Sequence, residues 1–189
     1  RIEGPVLLEA AYTLSAAAEL KYRLLEAELP RLSSLAEGIA EHALFRNRVA
    51  EAIAESGEVR DSASPRLRQI RQRLGPLREE IHAELQVLMD IHSELVQDRY
   101  ITLRRDRYVI PLKAHAQNEI SCIVLGRSGS GATVFVEPAS VVPLNNELAG
   151  LRLAEEAEVL RILVELGQLL AADASISTTL EVLVQLDLI

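Results

Sequence analysis

Apolar residues recur at heptad spacing through the middle of the chain. From position 67 onward every seventh residue is aliphatic, and a second row lies three residues further on: Leu67, Leu74, Ile81, Leu88 and Leu95, with Ile70, Leu77 and Ile91. Only Glu84 interrupts the second row. Such a stripe is typical of an α-helix that is paired along most of its length. A second run, over 141–169, has apolar residues three or four positions apart and predicts a long helix that returns alongside the first.

Strand-like sequence lies between these two helical runs. Short apolar segments at 100–103, 108–113, 120–125 and 133–136 predict four strands, and Pro111 indicates an edge or a bulge in the second one. The sequence therefore predicts a mainly α protein with a small antiparallel β subdomain, in which long paired lever helices carry a four-stranded, clamp-like tip. The alternative is that both long helices bury themselves in one globular bundle.

The flanking sequence predicts further helices. Gly4-Pro5 opens a first helix whose apolar face contains Leu7, Ala11, Leu14, Ala18, Tyr22, Leu25 and Leu29, and Pro30 ends it. A second helix is expected from about 32 to 44 and a small hairpin over 52–60. Residues 61–65 offer N-caps and a first-turn proline to the outbound helix, which we expect to continue, kinked, through Gly75-Pro76. A last helix is expected over about 178–188.

These elements suggest a division into four parts. Residues 1–63 form a partial helical core with a small hairpin, and 64–98 form the outbound lever helix. Residues 99–139 form the β-rich clamp tip, and 140–189 form the return lever helix and the start of further core helices.

Composition narrows the class. Of 189 residues 49% are hydrophobic but only 3% are aromatic, which is typical of packed helices. No apolar run is long enough for a bilayer, so we expect no membrane association. The single cysteine, Cys122, excludes an intrachain disulfide, reads as a small core residue and is compatible with a reducing cytoplasm. No signal peptide is visible, residue 1 is not Met and both ends have helical patterns, which predicts a piece of a longer protein.

Charge is distributed unevenly around the net value of −8. Between Arg99 and Val136 six basic residues face two acidic ones, whereas Ser140 to Ile189 hold eight acids and two arginines. The tip is basic and the C-terminal part is acidic, and this asymmetry is more informative about partners than the net charge is.

The candidate contact residues lie within that tip. Arg104, Arg105 and Arg107, with Lys113 and Arg127, predict weak, salt-sensitive and sequence-independent binding to a nucleic-acid backbone. Tyr100 and Tyr108 are the only aromatic residues among them, too few for a single-strand stacking platform. The alternative is a solvated charged hairpin.

The glycine-rich stretch 126–131 comes within one residue of a phosphate-binding P-loop. That motif needs Lys where Ala132 stands, and a helix where Val134 begins a strand, so we reject nucleotide binding there. The backbone N–H groups around Ser128 and Ser130 remain candidates for phosphate contact, the alternative being an ordinary flexible loop.

Other polar groups suggest no chemistry. A second basic region, Arg66, Arg68, Arg71, Arg73 and Arg78, reads better as the polar face of a paired helix. The four histidines lack metal-ligand spacing, and Glu155, Glu156, Glu158 and Glu165 look like a solvent-facing row. We therefore expect no catalytic, cofactor-binding or metal-binding residue in this chain.

Three longer motifs resemble the MutS-two family, the bacterial paralogue of the MutS mismatch-repair ATPases that acts against homologous recombination. They are residues 107–114, 128–138 and 144–148, and residues 57–65 are also similar. Pro143 departs from the family pattern, where an acidic or polar residue is usual, which leaves the exact start of the return helix open.

The resemblance implies a fragment comprising core, lever helices and clamp, with the clamp touching the DNA backbone. It also implies a homodimeric parent protein that binds branched DNA, contains an ATPase domain using ATP and Mg²⁺ and ends in a C-terminal Smr endonuclease domain. Two alternatives stay open: a homodimerisation module without DNA contact, and an element that binds the ribosome or ribosomal RNA.

Overall fold

A computed structural model describes residues 2–27 and 30–187. The regular elements follow one another along the chain as α1 (Gly4–Glu26), α2 (Pro30–Glu37), α3 (Ala43–Ala52), α4 (Pro65–Ile91), β1 (Thr102–Arg104), β2 (Arg107–Lys113), β3 (Cys122–Arg127), β4 (Thr133–Pro138), α5 (Val142–Ala171) and α6 (Ser175–Asp187). The predicted class, mainly α with a small antiparallel sheet of four strands, is confirmed. None of the described helices is long and apolar enough to cross a membrane.

The described chain forms two compact units. Unit 1 contains the residues up to Arg68 and those from Ala157 onward, and unit 2 is Gln69–Glu156. The division between the units therefore falls within α4 and within α5. The four-part division proposed from the sequence stays a prediction.

Unit 2 is built around the sheet. Its strands lie in the order β1-β2-β4-β3, and every neighbouring pair is antiparallel. One face of the sheet packs on α4 and α5 in a single core: Ile70, Leu74, Leu77, Ile81, Leu85, Met89, Val96, Ile110, Leu112, Val134, Val136, Val141 and Leu148. These core residues alternate along β2 and β4. The residues between them, among them Val109 and Phe135, are also buried, so both strands are covered on both faces.

The apolar stripe of α4 departs from the heptad prediction after Ile81. Leu85 and Met89 are buried next, whereas Ile91 is 68% exposed and lies outside the core. An α-helix has 3.6 residues per turn, so a strict seven-residue row drifts around it unless the helix supercoils. The assignment of Ile91 to the buried row was therefore wrong. The helix also ends at Ile91, and Val96 instead pairs with Leu112 of β2.

Two prolines are accommodated inside regular elements. Pro76 lies within α4, which continues past it as predicted. Pro111 lies in β2, an interior strand, beyond the three residues of β2 that pair with β1. The Pro111 carbonyl accepts a hydrogen bond from the Gln97 N–H. The expected bulge is in β3 instead, between Val124 and Gly126. Pro143 is the second residue of α5, a first-turn position that needs no N–H donor.

In unit 1 the single helix predicted for about 32–44 is wrong. Two helices, α2 and α3, are separated by residues 38–42, and His42 has a left-handed φ of 50°. The small hairpin is present as one bridge between Ile53 and Val59. The buried face of α1 begins as predicted, but Tyr22 and Leu25 are exposed. Leu29 and Leu188, which the sequence assigned to helices, lie outside the described residues.

A buried carboxylate joins the start of α4 to α5 inside unit 1. Ser64 caps α4 by accepting a hydrogen bond from the Leu67 N–H at 2.9 Å, and its own hydroxyl donates to Glu158 at 2.8 Å. Glu158 is only 4% exposed and also accepts hydrogen bonds from Arg161. Bonds from Arg161 and then from Ser64 lower the pKa of Glu158 from 4.5 to about 2. The prediction that Glu158 lies on a solvent-facing row was wrong.

Candidate nucleic-acid interface

The β1–β2 hairpin ends in a two-residue turn made by Arg105 and Asp106. Arg104 pairs with Arg107, and the two residues between them have positive φ values of 51° and 61°. Turns of this kind match the twist of the strands but favour Asn and Gly, because a Cβ is strained in the left-handed region. Arg105 is exposed, and no ion pair or side-chain hydrogen bond engages it within residues 2–27 and 30–187. The turn thus presents a charged side chain from a backbone conformation that disfavours it.

Arg104, the residue before this turn, is held against the sheet. Its guanidinium carbon lies 4.0 Å from the centre of the Phe135 ring, and one of its nitrogens donates to the Leu103 carbonyl at 2.9 Å. Stacking on an aromatic face leaves the edge of a guanidinium able to donate to another acceptor. Arg104 is therefore half-buried and pre-oriented.

Arg107 is committed to partners inside unit 2. It forms a bidentate ion pair with Glu137, with nitrogen–oxygen distances of 2.6 and 2.5 Å. The same guanidinium donates to the Asn146 side chain at 2.8 Å and to the Val142 carbonyl at 3.3 Å. Glu137 is 1% exposed, so the loss of Arg107 would leave a buried carboxylate without its ion-pair partner. These contacts occupy the side chain that the sequence had assigned to phosphate.

Asn145 completes the network by taking the place of a strand. Continued by two residues, the β2–β4 register would put Tyr108 opposite Pro138, which has no N–H to donate. The Asn145 amide fills this gap, donating to the Tyr108 carbonyl at 3.0 Å and accepting from the Tyr108 N–H at 3.1 Å. It also donates to Glu137 at 2.9 Å. A side chain at the start of α5 is thus hydrogen-bonded into the sheet.

The other predicted contacts lie at the far end of the strands. Lys113 pairs with Thr133, and Arg127 pairs with Val134. Because β2 has seven residues, a rise of ~3.3 Å per residue separates this end from the β1–β2 turn by roughly 20 Å. Lys113 donates to the Glu94 carbonyl at 2.8 Å and Arg127 to the Gln117 side chain at 2.8 Å. The predicted residues therefore form two basic groups, one at each end of the sheet.

Residues 128–133, which include the Ser128–Ser130 loop, use most of their own backbone donors. The Ser128 and Gly131 N–H groups bond to carbonyls in the same loop, and the Thr133 N–H bonds to the Ser128 hydroxyl. The Ala132 N–H reaches the Ser130 hydroxyl at 3.4 Å. Four of the six backbone donors from 128 to 133 are thus already satisfied, which leaves the N–H groups of Gly129 and Ser130 for phosphate.

Arginines of the second basic region, on α4, form ion pairs with glutamates of α5. Within unit 2, Arg71 donates to Glu155 and Arg73 to Glu147, both at 2.7 Å. The hydrogen bond from Arg73 lowers the pKa of Glu147, and the same bond raises the pKa of Arg73. Arg78 is exposed on the same helix. Cross-helix ion pairs therefore account for part of this charge.

One histidine has the neighbours of a catalytic base but not the setting. In unit 1 His42 contacts Asp173 at 2.6 Å and the Thr179 hydroxyl at 2.9 Å. Thr179 is fully buried, and its oxygen also accepts the Ala40 N–H. Hydrogen bonds from Ser175 and then His42 lower the pKa of Asp173. The cluster holds the α2–α3 connection against α6. No group of three potential metal ligands occurs among the described residues.

Comparison with known proteins identifies the chain's class. It is 51% identical over 189 residues to Endonuclease MutS2 of Thermus thermophilus, matching 100% of this chain and 25% of that protein. It is 38% identical to Endonuclease MutS2 of a Geobacillus species over 97% of the chain and 24% of the relative. It is also 38% identical to Endonuclease MutS2 of an Anaeromyxobacter species, over 98% of this chain and 24% of that protein. No family model matches.

These matches run through helices and sheet alike. The chain spans about a quarter of the length of the curated relatives it matches. A mainly α segment with a small antiparallel sheet, similar over nearly its whole length to these proteins, is a segment of a MutS-type protein. The chain belongs to the MutS2 family.

Proposed function

We propose that the β1–β2 hairpin of unit 2 binds the phosphate backbone of duplex or branched DNA without sequence preference. The observation that carries this proposal is Arg105, an exposed cation at the turn of a hairpin whose backbone disfavours its side chain. A residue kept in a strained conformation points to a role for the side chain itself. Arg104, stacked on Phe135, supplies a second donor next to it.

The far end of the sheet supplies weaker contacts. Lys113 and Arg127 each keep further donors after their one internal hydrogen bond, and Ser128 and Ser130 lie beside them with hydroxyls 3.3 Å apart. Two basic groups roughly 20 Å apart would engage separate phosphates. Arg107 is left out of the contact set because its donors face Glu137 and Asn146.

The parent protein is proposed on family grounds. Its relatives are named endonucleases, and this chain matches only a quarter of their length. We propose a cytoplasmic parent that suppresses homologous recombination, with an ATPase domain binding ATP and Mg²⁺ and a C-terminal Smr endonuclease domain. In that arrangement this segment grips DNA and contributes no catalytic residue.

Homodimerisation is a second candidate function with its own observation. Val87 and Ile91, one turn apart on α4, are 52% and 68% exposed. Adjacent exposed aliphatic residues on one helix face are suited to contact with a second copy of the chain. Light scattering of the wild-type chain and of Ile91→Glu tests this, since a dimer built on this face would dissociate in the variant. A wild-type monomer at micromolar concentration contradicts it.

The DNA proposal is tested with Arg105→Asn, because Asn is tolerated in the left-handed region. We expect unfolding free energy to stay constant or rise by up to ~1 kcal/mol as strain is relieved. Duplex affinity should fall, and the slope of log K against log salt should become less steep by about 0.9, the value of one lost phosphate contact.

The matched control is Arg78→Gln, which removes the same charge from an exposed position of α4. It should leave the salt slope unchanged. If Arg105→Asn binds like the wild type at low salt, the hairpin is not the contact. A structured ribosomal RNA hairpin measured in the same assay tests the ribosomal alternative, and preference for that RNA over duplex DNA would favour it.

A further inference from the structure

The sheet and α5 are joined by buried polar groups rather than by apolar contacts alone. Glu137 on β4 and Asn145 on α5 are each 1% exposed, and every buried side-chain polar atom among the described residues has a partner. Burial makes an incomplete network costly, so these groups favour one arrangement of strand and helix. Apolar side chains alone would permit small sliding movements between the two.

Strand β2 connects this network to the β1–β2 hairpin. Arg107 is the first residue of β2 and pairs directly with Arg104, and Tyr108 follows it with both backbone groups bonded to Asn145. The ring of Tyr108 also meets the ring of His82 of α4 edge-on, with centroids 4.9 Å apart. The two residues after the turn are thus fixed to both helices of unit 2.

We propose that Arg107, Glu137 and Asn145 are positioning residues that hold the β1–β2 turn in its binding orientation relative to α5. The inference rests on the proposed function for its binding part. It reassigns Arg107 from phosphate contact to positioning, and it implies that a displacement of the start of α5 moves Arg104 and Arg105. The ligand is the phosphate backbone of duplex DNA, as proposed above.

The direction in which DNA affinity changes in Glu137→Gln distinguishes a positioning role from a purely electrostatic effect. Glu137→Gln removes a negative charge close to the hairpin, so electrostatics alone predicts tighter DNA binding. Positioning predicts weaker binding, by about 2- to 30-fold, because the carboxylate that holds Arg107 is lost. Glu147→Gln is the matched control, since Glu147 is an exposed residue of α5 that pairs with Arg73 of α4. Loss of the Glu147 charge should leave DNA binding unchanged or slightly tighter.

A conservative variant covers the chance that Glu137→Gln does not fold. Arg107→Lys keeps the charge but loses the planar fork that satisfies Glu137 and Asn146 together. A direct phosphate contact would survive this change, whereas a positioning residue would lose affinity while the salt slope stays that of the wild type. Circular dichroism of each variant reports whether the fold is retained.

The second readout does not involve DNA. Cys122 pairs with Pro138, the residue after Glu137, and its half-buried thiol has a pKa raised by burial. Labelling of Cys122 by a maleimide at fixed pH should be faster in Glu137→Gln and in Arg107→Lys than in the wild-type chain or Glu147→Gln.

The experiment combines duplex affinity, salt slope and Cys122 labelling in the full chain. Weaker binding with an unchanged salt slope and faster labelling supports the inference. Tighter or unchanged binding in Glu137→Gln overturns it. If the wild-type chain itself has no duplex affinity at low salt, the proposed function fails, and the labelling rate alone then decides whether the network holds the sheet. Unchanged labelling in both variants overturns that remaining part.

Discussion

The two arginines on either side of Asp106 in the β1–β2 hairpin differ sharply although they share one short basic run. On one side Arg105 is exposed, strained and without an internal partner among the described residues. On the other side Arg107 is bound to Glu137 in a buried ion pair. The difference comes from β4 and α5, which supply Glu137, Asn146 and the Val142 carbonyl to Arg107 and nothing to Arg105. Charge in a sequence therefore locates a basic surface without showing which of its members are free to bind.

The largest effect is expected from a truncation in the hydrophobic core of unit 2, which lies beneath both arginines. Leu112 is fully buried among residues of the sheet and both long helices. Leu112→Ala should lower the unfolding free energy by about 2–5 kcal/mol, through lost transfer energy and the cavity left behind. Urea denaturation followed by circular dichroism measures this. Leu103→Ala, at a position 41% exposed on β1, should cost less than about 1 kcal/mol, and equal losses would contradict the assigned core.

A smaller change loosens the Arg107 side alone. Asn145→Ala removes two hydrogen bonds to Tyr108 and one to Glu137. The Tyr108 N–H and carbonyl lose this partner, whereas Glu137 keeps its ion pair with Arg107. We expect a loss of about 2–3 kcal/mol in the unfolding free energy. Asn146→Ala removes one exposed hydrogen bond to Arg107 and should cost under about 1 kcal/mol. Similar urea midpoints for the two variants would mean that Asn145 does not replace the missing strand pairing.

The buried carboxylate of unit 1 provides a further comparison, because Glu158 has a structural role in a unit that contains none of the proposed contacts. Its folded pKa of about 2 is below 4.5, so its stabilisation is complete above pH 4.5 and is lost as the pH falls toward 2. Ser64→Ala should cost about 1–2 kcal/mol at pH 7 and shift this acid transition to higher pH. Acid titration monitored by circular dichroism measures the shift.

The control for this prediction is Ser62→Ala, at an exposed position in the preceding turn. It should leave both the unfolding free energy and the acid transition close to those of the wild type. An acid transition that is the same in Ser64→Ala and in the wild-type chain would show that Ser64 does not lower the pKa of Glu158.

Most of the fold was predictable from the length and spacing of its apolar segments. Four short apolar segments predicted the four strands, and the two long rows of apolar residues predicted α4 and α5. The errors have local causes. Ile91 was misplaced because an untwisted helix drifts out of a heptad row, and α2 and α3 were joined because the left-handed His42 carries no sequence signal.

The candidate interface was predictable in location but not in detail. The count of charged residues in the tip ended at Val136 and therefore left out Glu137, the residue that forms an ion pair with Arg107. One signal was present, since Pro138 at the end of an apolar strand has no N–H and therefore predicts a missing donor there. The other members of the network, Asn145 and Asn146, come from another element, and pairing between elements requires the register that only a structure provides.

The most direct test measures the salt dependence of duplex DNA affinity for Arg105→Gln and Arg107→Gln side by side. Both changes remove one positive charge from positions on either side of Asp106. We predict that Arg105→Gln makes the slope of log K against log salt less steep by about 0.9, whereas Arg107→Gln weakens binding and keeps the wild-type slope. Equal slope changes in the two variants would contradict the division of the hairpin into a binding side and a positioning side.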